Sequence, residues 1–122
     1  MALDPVNVVI LRGHLSRPPE QRLLPSGDVL ATFEVTVPAS GGVRTETAPV
    51  AWPGAPAAAL ELAEGEEVVV AGRVRRRFFR AAGAVQSRTE VVADAVVPLR
   101  HRKRSAAAVD AAVQRRRDGA GG

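Results

Sequence analysis

The chain has 122 residues, of which 46% are hydrophobic and 25% are charged, a composition typical of one folded domain rather than of a disordered chain. It contains no cysteine and only two histidines, His14 and His101, which excludes disulfides and sulfur-ligated zinc and argues against a histidine-dependent active site. No apolar run could span a membrane, and the first residues lack a basic signal-peptide region. We therefore expect a cytoplasmic, non-enzymatic protein without membrane association, catalytic residues, metal or cofactor.

The net charge of +4 is unevenly distributed along the chain. Residues 1–99 contain ten arginines and eleven acidic residues, whereas residues 100–122 contain seven basic and two acidic residues. Residues 73–88 contain no acidic residue but six arginines: Arg73, Arg75, Arg76, Arg77, Arg80 and Arg88. Such local charge suits the binding of an anionic strand on one face of a domain. The alternative interpretation is a solvated hairpin that the arginines keep soluble.

The first half of the chain predicts three strands. Val6–Leu15 is rich in β-branched residues and bounded by prolines, so it predicts the first strand; a short extension, Glu20–Leu24, ends at a Pro-Ser-Gly-Asp turn. Val29–Val37 alternates apolar and polar residues, which indicates a half-buried strand. Val43–Trp52 predicts a third strand, placed at a sheet edge or a bulge because Pro49 interrupts it.

The second half predicts a helix, two long strands and a tail. Pro56–Ala63 contains good helix formers and predicts the one helix inside the domain. Glu67–Phe79 and Val85–Leu99 predict two strands joined by a glycine-containing loop. Five strands with one short helix between the third and fourth predict an all-β fold, a five-stranded Greek-key barrel of the OB type. The low-complexity residues 100–122 predict a disordered basic tail after a domain at residues 1–99.

The fourth predicted strand carries a row of arginines. Because successive side chains of a strand alternate between its faces, Arg73, Arg75, Arg77 and Phe79 share one side. Arginines bind phosphates and an aromatic ring stacks on any base, so this side predicts a nucleic-acid surface that does not read sequence. Phe78, on the opposite and more apolar side, is expected in a hydrophobic cluster at the barrel mouth.

Several separate segments resemble bacterial single-stranded DNA-binding proteins, in the same order and spacing over about residues 6–98. They are Val6–Leu15, Arg17–Glu20 with Arg22, Pro25–Gly27, Ala31–Phe33, Pro49–Trp52, Gly65–Arg75 and Thr89–Asp94. The resemblance implies an OB fold, assembly as a homotetramer, and wrapping of single-stranded DNA without sequence preference. By position, Phe79 resembles the stacking aromatic of the fourth strand, Arg75 and Arg77 resemble its basic neighbours, and Trp52 falls at or next to another stacking position. The expected DNA contacts are therefore Arg73, Arg75, Arg77, Phe79 and Trp52, together with Arg12 and Arg88.

The sequence also departs from the family pattern. The loop Pro38–Arg44 is short and has no aromatic residue, and Thr47 stands where a stacking tryptophan is common. Family members usually end in an acidic tip that recruits replication and repair proteins, and Arg115–Gly122 lacks its charge and its aromatic residue. These departures predict an accessory paralogue. We further expect it to be of the actinobacterial type and nucleoid-associated, and to act in replication, repair or recombination. It would bind single strands more weakly and have no partners recruited by the tail.

Two other functions remain compatible with the sequence. The barrel could be an oligomerisation module with degenerate DNA binding, or residues 100–117 alone could bind nucleic acid and prefer duplex as readily as single strands. The uncharged segment Val6–Leu11 is expected to pair with another protomer, because so long an apolar edge would otherwise aggregate. The sequence leaves open whether the oligomer is a tetramer or a dimer.

Overall fold

The computed structural model describes residues 4–117, and six strands in this part of the chain form one sheet. The strands are β1 (Val9–Leu15), β2 (Glu20–Leu23), β3 (Val29–Val37), β4 (Glu46–Pro53), β5 (Glu67–Ala81) and β6 (Ala84–Pro98). A 3-10 helix, Ala57–Glu61, connects β4 to β5, and the α-helix α1, Arg102–Arg117, follows β6. No helix within residues 4–117 is long and apolar enough to cross a membrane.

The sheet closes into a barrel. Its order is β1-β5-β6-β4-β3-β2, and β1 also pairs with β3 through His14 with Thr36 and Leu15 with Val35. Five strands thus form a closed ring, while β2 extends the sheet beside β3. The β4–β6 pairing is parallel and the other pairings are antiparallel. This arrangement agrees with the OB-type barrel expected from the sequence, although the expected short extension Glu20–Leu24 contains a paired strand.

Two glycines permit close approaches between strands. A Cβ atom on Gly13 would lie 2.3 Å from the carbonyl oxygen of Thr36, where β1 meets β3, and one on Gly72 would lie 2.1 Å from the carbonyl oxygen of Val92. Such distances exclude any side chain.

Gly72 also marks a register shift between β5 and β6. Ala71 pairs with Ala95 and Gly72 pairs with Ala93, which leaves the intervening Asp94 outside the pairing. This is a β-bulge, a feature that bends the strands that contain it.

Beyond the bulge, β5 and β6 leave the barrel as a two-stranded ribbon. The barrel interior is filled by side chains such as Leu15, Val35 and Val70, which are fully buried. From Val68 to Gly72 every residue of β5 is buried, whereas the residues from Arg73 onward are exposed or half-buried. We call the ribbon formed by residues 73–90 the arm. Apart from the buried Glu90, its strand residues are exposed or half-buried on both faces, so side chains of either parity are open to ligands.

The segment Pro56–Ala63, expected to form a helix between the third and fourth strands, contains the five-residue 3-10 helix Ala57–Glu61. Pro56 precedes it without a side-chain capping hydrogen bond, and Ala59 is its only buried residue. An α-helix needs either a longer segment or a buried face to offset the cost of nucleation. The only α-helix of residues 4–117 is instead C-terminal.

The prediction of a disordered tail is wrong for residues 102–117, which form α1. The helix contacts β5 and β6 and buries Ser105 and Ala112. Near its start, the Ser105 hydroxyl donates to the carbonyl oxygen of Pro98 (3.3 Å), and near its end the Arg115 guanidinium lies 3.2 Å from the Asp94 carboxylate. These contacts show that α1 runs back along β6.

The sequence favours this helix for a reason that periodicity does not reveal. Alanine has the highest helix propensity, and small side chains let a helix lie close to a sheet. The outer-face residues Val69 and Val97, which pair across β5 and β6, are buried although they lie outside the interior cluster. The prediction that the chain lacks an acidic tip concerns Arg115–Gly122. Residues 118–122 of that segment lie outside the described residues.

The docking of α1 is testable with two neighbouring alanines. Ala112→Glu places a charge at a position that is 1% exposed, so we expect it to detach α1 and to lower the free energy of unfolding by about 1–3 kcal/mol. Hydrogen exchange of the α1 amides and thermal unfolding measure these effects. Ala111→Glu introduces the same charge at an exposed position and should change the free energy by less than about 0.5 kcal/mol. Equal effects of the two substitutions would contradict the docked helix.

Candidate nucleic-acid interface

The arm has two chemically distinct faces. Residues that pair directly across an antiparallel ladder point to the same side of the sheet. The pairs Arg75 with Glu90, Arg77 with Arg88 and Phe79 with Gln86 therefore share one side, which we call the front face. The rear face carries the residues between them, including Arg76 and Phe78.

The front face borders a groove of about 520 Å³. Its floor is formed by the outer sides of β3 and β4, and β2 lies at its other border. Three glutamates, Glu20, Glu34 and Glu90, line this groove together with five arginines: Arg17, Arg22, Arg75, Arg77 and Arg88. Cations therefore outnumber anions in a groove of a protein whose first 99 residues carry one more acidic than basic residue.

Glu90 positions the central arginines of this groove. Its side chain is 7% exposed, and its Oε1 atom accepts a hydrogen bond from Arg75 Nη2 at 2.7 Å and lies 3.3 Å from Arg77 Nε. The arginine side chains are 41% and 40% exposed, so part of each guanidinium stays open to the groove. Arg88 lies directly opposite Arg77 and makes no ion pair within residues 4–117. One carboxylate thus orients two guanidinium groups without neutralising the whole cluster.

Phe79 adds an aromatic plane to the front face. Its ring is half-buried, and the Arg77 guanidinium carbon lies 5.2 Å from the ring centroid, within the range of a cation–π contact. The combination offers a π surface beside a charged group that can reach a phosphate. Phe79 does not line the groove itself, because it lies farther out along the arm.

The structure does not bring all of the expected DNA contacts together. Arg73 is exposed at the barrel end of the arginine row and lies outside the groove. Arg12 is exposed on β1, where it pairs with Val69 on the outer side of the barrel, also away from the groove. Trp52 has the interior parity of β4, and its ring centroid lies 6.5 Å from that of Phe33 in the barrel core. Of the expected DNA contacts, only Arg75, Arg77 and Arg88 line the groove.

The expectation that Phe78 joins a hydrophobic cluster is wrong. Its side chain is 67% exposed on the rear face of the arm. The apolar parity of β5 continues along the arm, but β6 makes its last pairing with β4 at Val91, opposite Val74, and no described element covers the rear face farther out at Phe78. The alternation of side chains along the strand predicted correctly which face carries Phe78. It could not show where the barrel ends.

Sequence reasoning missed Arg17 and Arg22, which line the far side of the groove. Arg22 lies on β2 opposite Leu30, and Arg17 lies 3.6 Å from Glu20 and 3.9 Å from Glu34. The signal was the Pro-Ser-Gly-Asp turn that follows β2. Interpreted as a hairpin turn, it would have paired β2 with β3 and placed Arg22 on the outer side of the barrel.

A comparison with models of known protein families matches most of the chain. Residues 6–99 match the family model described as SSB: Single-strand binding protein family. The matched range includes all six strands, the groove and the arm, and ends before α1. No curated protein matches the chain.

The ion-pair cluster predicts a specific stability effect. Glu90→Gln keeps the shape of the side chain but removes the negative charge that offsets the repulsion between the two arginines. We therefore expect the free energy of unfolding to fall by about 1–3 kcal/mol. Chemical denaturation measures this change. Glu64→Gln removes an exposed carboxylate that has no ion pair in the described chain and should be nearly neutral. A neutral Glu90→Gln would show that the carboxylate does not stabilise the arginine cluster.

Proposed function

Because the chain belongs to the single-strand binding protein family, we propose that it binds single-stranded DNA across the groove and the front face of the arm, without reading base sequence. The observation that carries the proposal is the arginine row, in which Arg75 and Arg77 are held by the buried Glu90 at the border of the groove. Residues 1–99 are the proposed DNA-binding domain, with replication, repair and recombination as the processes it would serve.

The proposed attraction to DNA is local. The strand's phosphates would contact the exposed parts of Arg75 and Arg77 and the unpaired Arg88, releasing condensed counterions from the strand. Glu90 holds the first two side chains in place, so less conformational entropy is lost when they bind. Arg73 extends the row toward the barrel. Arg12 and Trp52 lie apart from this surface and are left out of the proposed contacts.

Base stacking would come chiefly from Phe79. One aromatic–base stack contributes about 1–3 kcal/mol and tolerates any base. The outer positions of β3 and β4 provide no further aromatic ring; Thr36 and Thr47, for example, lie opposite each other with their hydroxyls 2.9 Å apart. We therefore propose an accessory member of the family that binds single strands weakly.

Substitutions in the row should change the salt dependence of binding. Arg75→Ala combined with Arg77→Ala is expected to weaken binding to oligo-dT and to lower the slope of log K against log salt by about 1.4, since each single-strand phosphate contact contributes about 0.7. Fluorescence anisotropy at several salt concentrations measures both quantities. Arg44→Ala removes an exposed charge that lies outside both the groove and the first strand, and it should leave the slope unchanged.

A single substitution separates charge from folding. Arg88→Ala leaves Glu90 and both of its partners intact, so we expect an unchanged melting temperature and a salt slope reduced by about 0.7. Unchanged slopes in the double variant and in Arg88→Ala would refute the groove as the DNA site.

We also propose that protomers associate through the free edge of β1. On one side β1 pairs with β5 from Val9 to His14, whereas on the other it pairs with β3 only at His14 and Leu15. The segment Val9–Arg12 therefore has one edge without a partner strand in the described chain, and its Ile10 is exposed. Such an edge is a template for strand pairing with a second copy.

Sedimentation at micromolar concentration tests this assembly. We expect the full chain to sediment as an oligomer, and Ile10→Lys to shift it toward monomer because a charged edge disfavours pairing between strands. Val43→Lys, at an exposed apolar loop position, is the matched control and should leave the distribution unchanged. A monomeric wild-type protein would contradict the proposed edge pairing.

A further inference from the structure

The rear face of the arm carries an exposed aromatic residue that the proposed DNA path does not use. Phe78 is 67% exposed, and Val85, on the same face, is 63% exposed. Cross-strand register places Arg76 opposite Thr89, Phe78 opposite Ser87 and Arg80 opposite Val85, so two arginines flank the phenylalanine. Neighbouring apolar side chains exposed on one face are typical of a surface that binds a partner.

The rear face repeats the chemistry of the front face. The Arg76 guanidinium carbon lies 5.8 Å from the centroid of the Phe78 ring, and the corresponding distance from Arg77 to Phe79 is 5.2 Å. Each face thus has a guanidinium beside an aromatic plane. This pairing suits a ligand that offers both a base and a phosphate.

The two faces differ in how their charges are balanced. Arg75 and Arg77 on the front share Glu90, whereas Arg76 donates from Nε and Nη2 to the Ser87 hydroxyl at 3.2 and 3.0 Å. Serine is neutral, and no carboxylate of residues 4–117 forms an ion pair with Arg76. The positive charge on the rear face is therefore uncompensated and available to an anion.

We propose that the rear face of the arm is a second binding site for single-stranded nucleic acid, with a base stacked on Phe78 and phosphates on Arg76 and Arg80. The site rests on the proposed function, because the occupant is a further stretch of the strand that binds the front face. The two faces belong to one two-stranded ribbon and are separated only by the thickness of a single sheet. A strand that leaves the front face can therefore pass around the arm to the rear face.

Charge favours nucleic acid over a second copy of the arm. Residues 73–88 contain six arginines and no acidic residue, so two arms that met at their rear faces would repel each other. A polyanion that stacks on aromatic rings gains from both features of the surface. Docking of the acidic segment at residues 61–67 of another copy is the alternative that the experiment distinguishes.

The test compares short and long oligonucleotides with the full-length protein. OB-fold sites cover about 4–16 nucleotides, so labelled dT of about 6 nucleotides fits the front face alone and dT of about 24 nucleotides can reach both faces. Phe78→Ala is expected to weaken binding of the long strand about tenfold to hundredfold and to change binding of the short strand by less than about twofold. Phe79→Ala should weaken both.

Two further variants separate stacking from general apolar contact. Phe78→Trp keeps an aromatic plane and should retain long-strand affinity, whereas Val85→Ala removes an exposed apolar side chain of the same face that cannot stack and should have little effect. Circular dichroism and sedimentation of each variant show whether its fold and oligomeric state are kept.

The outcomes distinguish the rear site from the proposed function. Unchanged long-strand affinity in Phe78→Ala, with a loss in Phe79→Ala, would overturn the rear site and leave the front-face function standing. A wild-type protein that binds neither oligonucleotide would overturn both. A Phe78→Ala protein that keeps long-strand affinity but sediments as a smaller species would overturn the rear site in favour of a contact with a second copy.

Discussion

The close approach of two backbones at Gly72 is the constraint on which the rest of the structure depends. No side chain fits there, since a Cβ atom would lie 2.1 Å from the Val92 carbonyl oxygen. The register shift beside Gly72 leaves Asp94 outside the strand pairing, where its carboxylate meets Arg115 of α1. It also marks the point where β5 changes from a buried barrel strand to an exposed ribbon. One bulge therefore divides two long strands into a barrel that supports α1 and an arm that presents arginines.

The proposed DNA-binding surface depends on the distribution of charge rather than on its total. The high pI of the chain comes from residues 100–122, whereas the barrel and arm together hold more acidic than basic residues. Part of that acidic charge has a structural use: Glu90 is buried between Arg75 and Arg77 and fixes two side chains that would otherwise repel each other. Pairing lowers the net charge of the front face but reduces the ordering needed when a phosphate arrives. The rear face differs, since its Arg76 keeps its full charge and contacts a hydroxyl and an aromatic ring.

Much of the barrel follows from local patterns, and the errors come from contacts between distant parts of the chain. The alternation in Val29–Val37 and along β5 predicted which side chains share a face, including the separation of Arg75 and Arg77 from Phe78. It could not show that the barrel ends near Gly72, which is why Phe78 is exposed rather than buried. The helix α1 was missed because Ala112 and Ser105 are buried against β5 and β6, and neither residue belongs to an apolar stripe that periodicity would detect.

The most direct test of the DNA-binding account compares single-stranded with double-stranded DNA. Anisotropy of the full chain titrated with labelled oligo-dT, and with a duplex of equal length, measures the two affinities under the same salt conditions. A surface that combines stacking with phosphate contacts should prefer the single strand clearly, because bases in a duplex cannot reach an aromatic ring. Equal affinity for the two forms would contradict the account and would assign binding to the basic residues after residue 99, with the barrel serving as an assembly module.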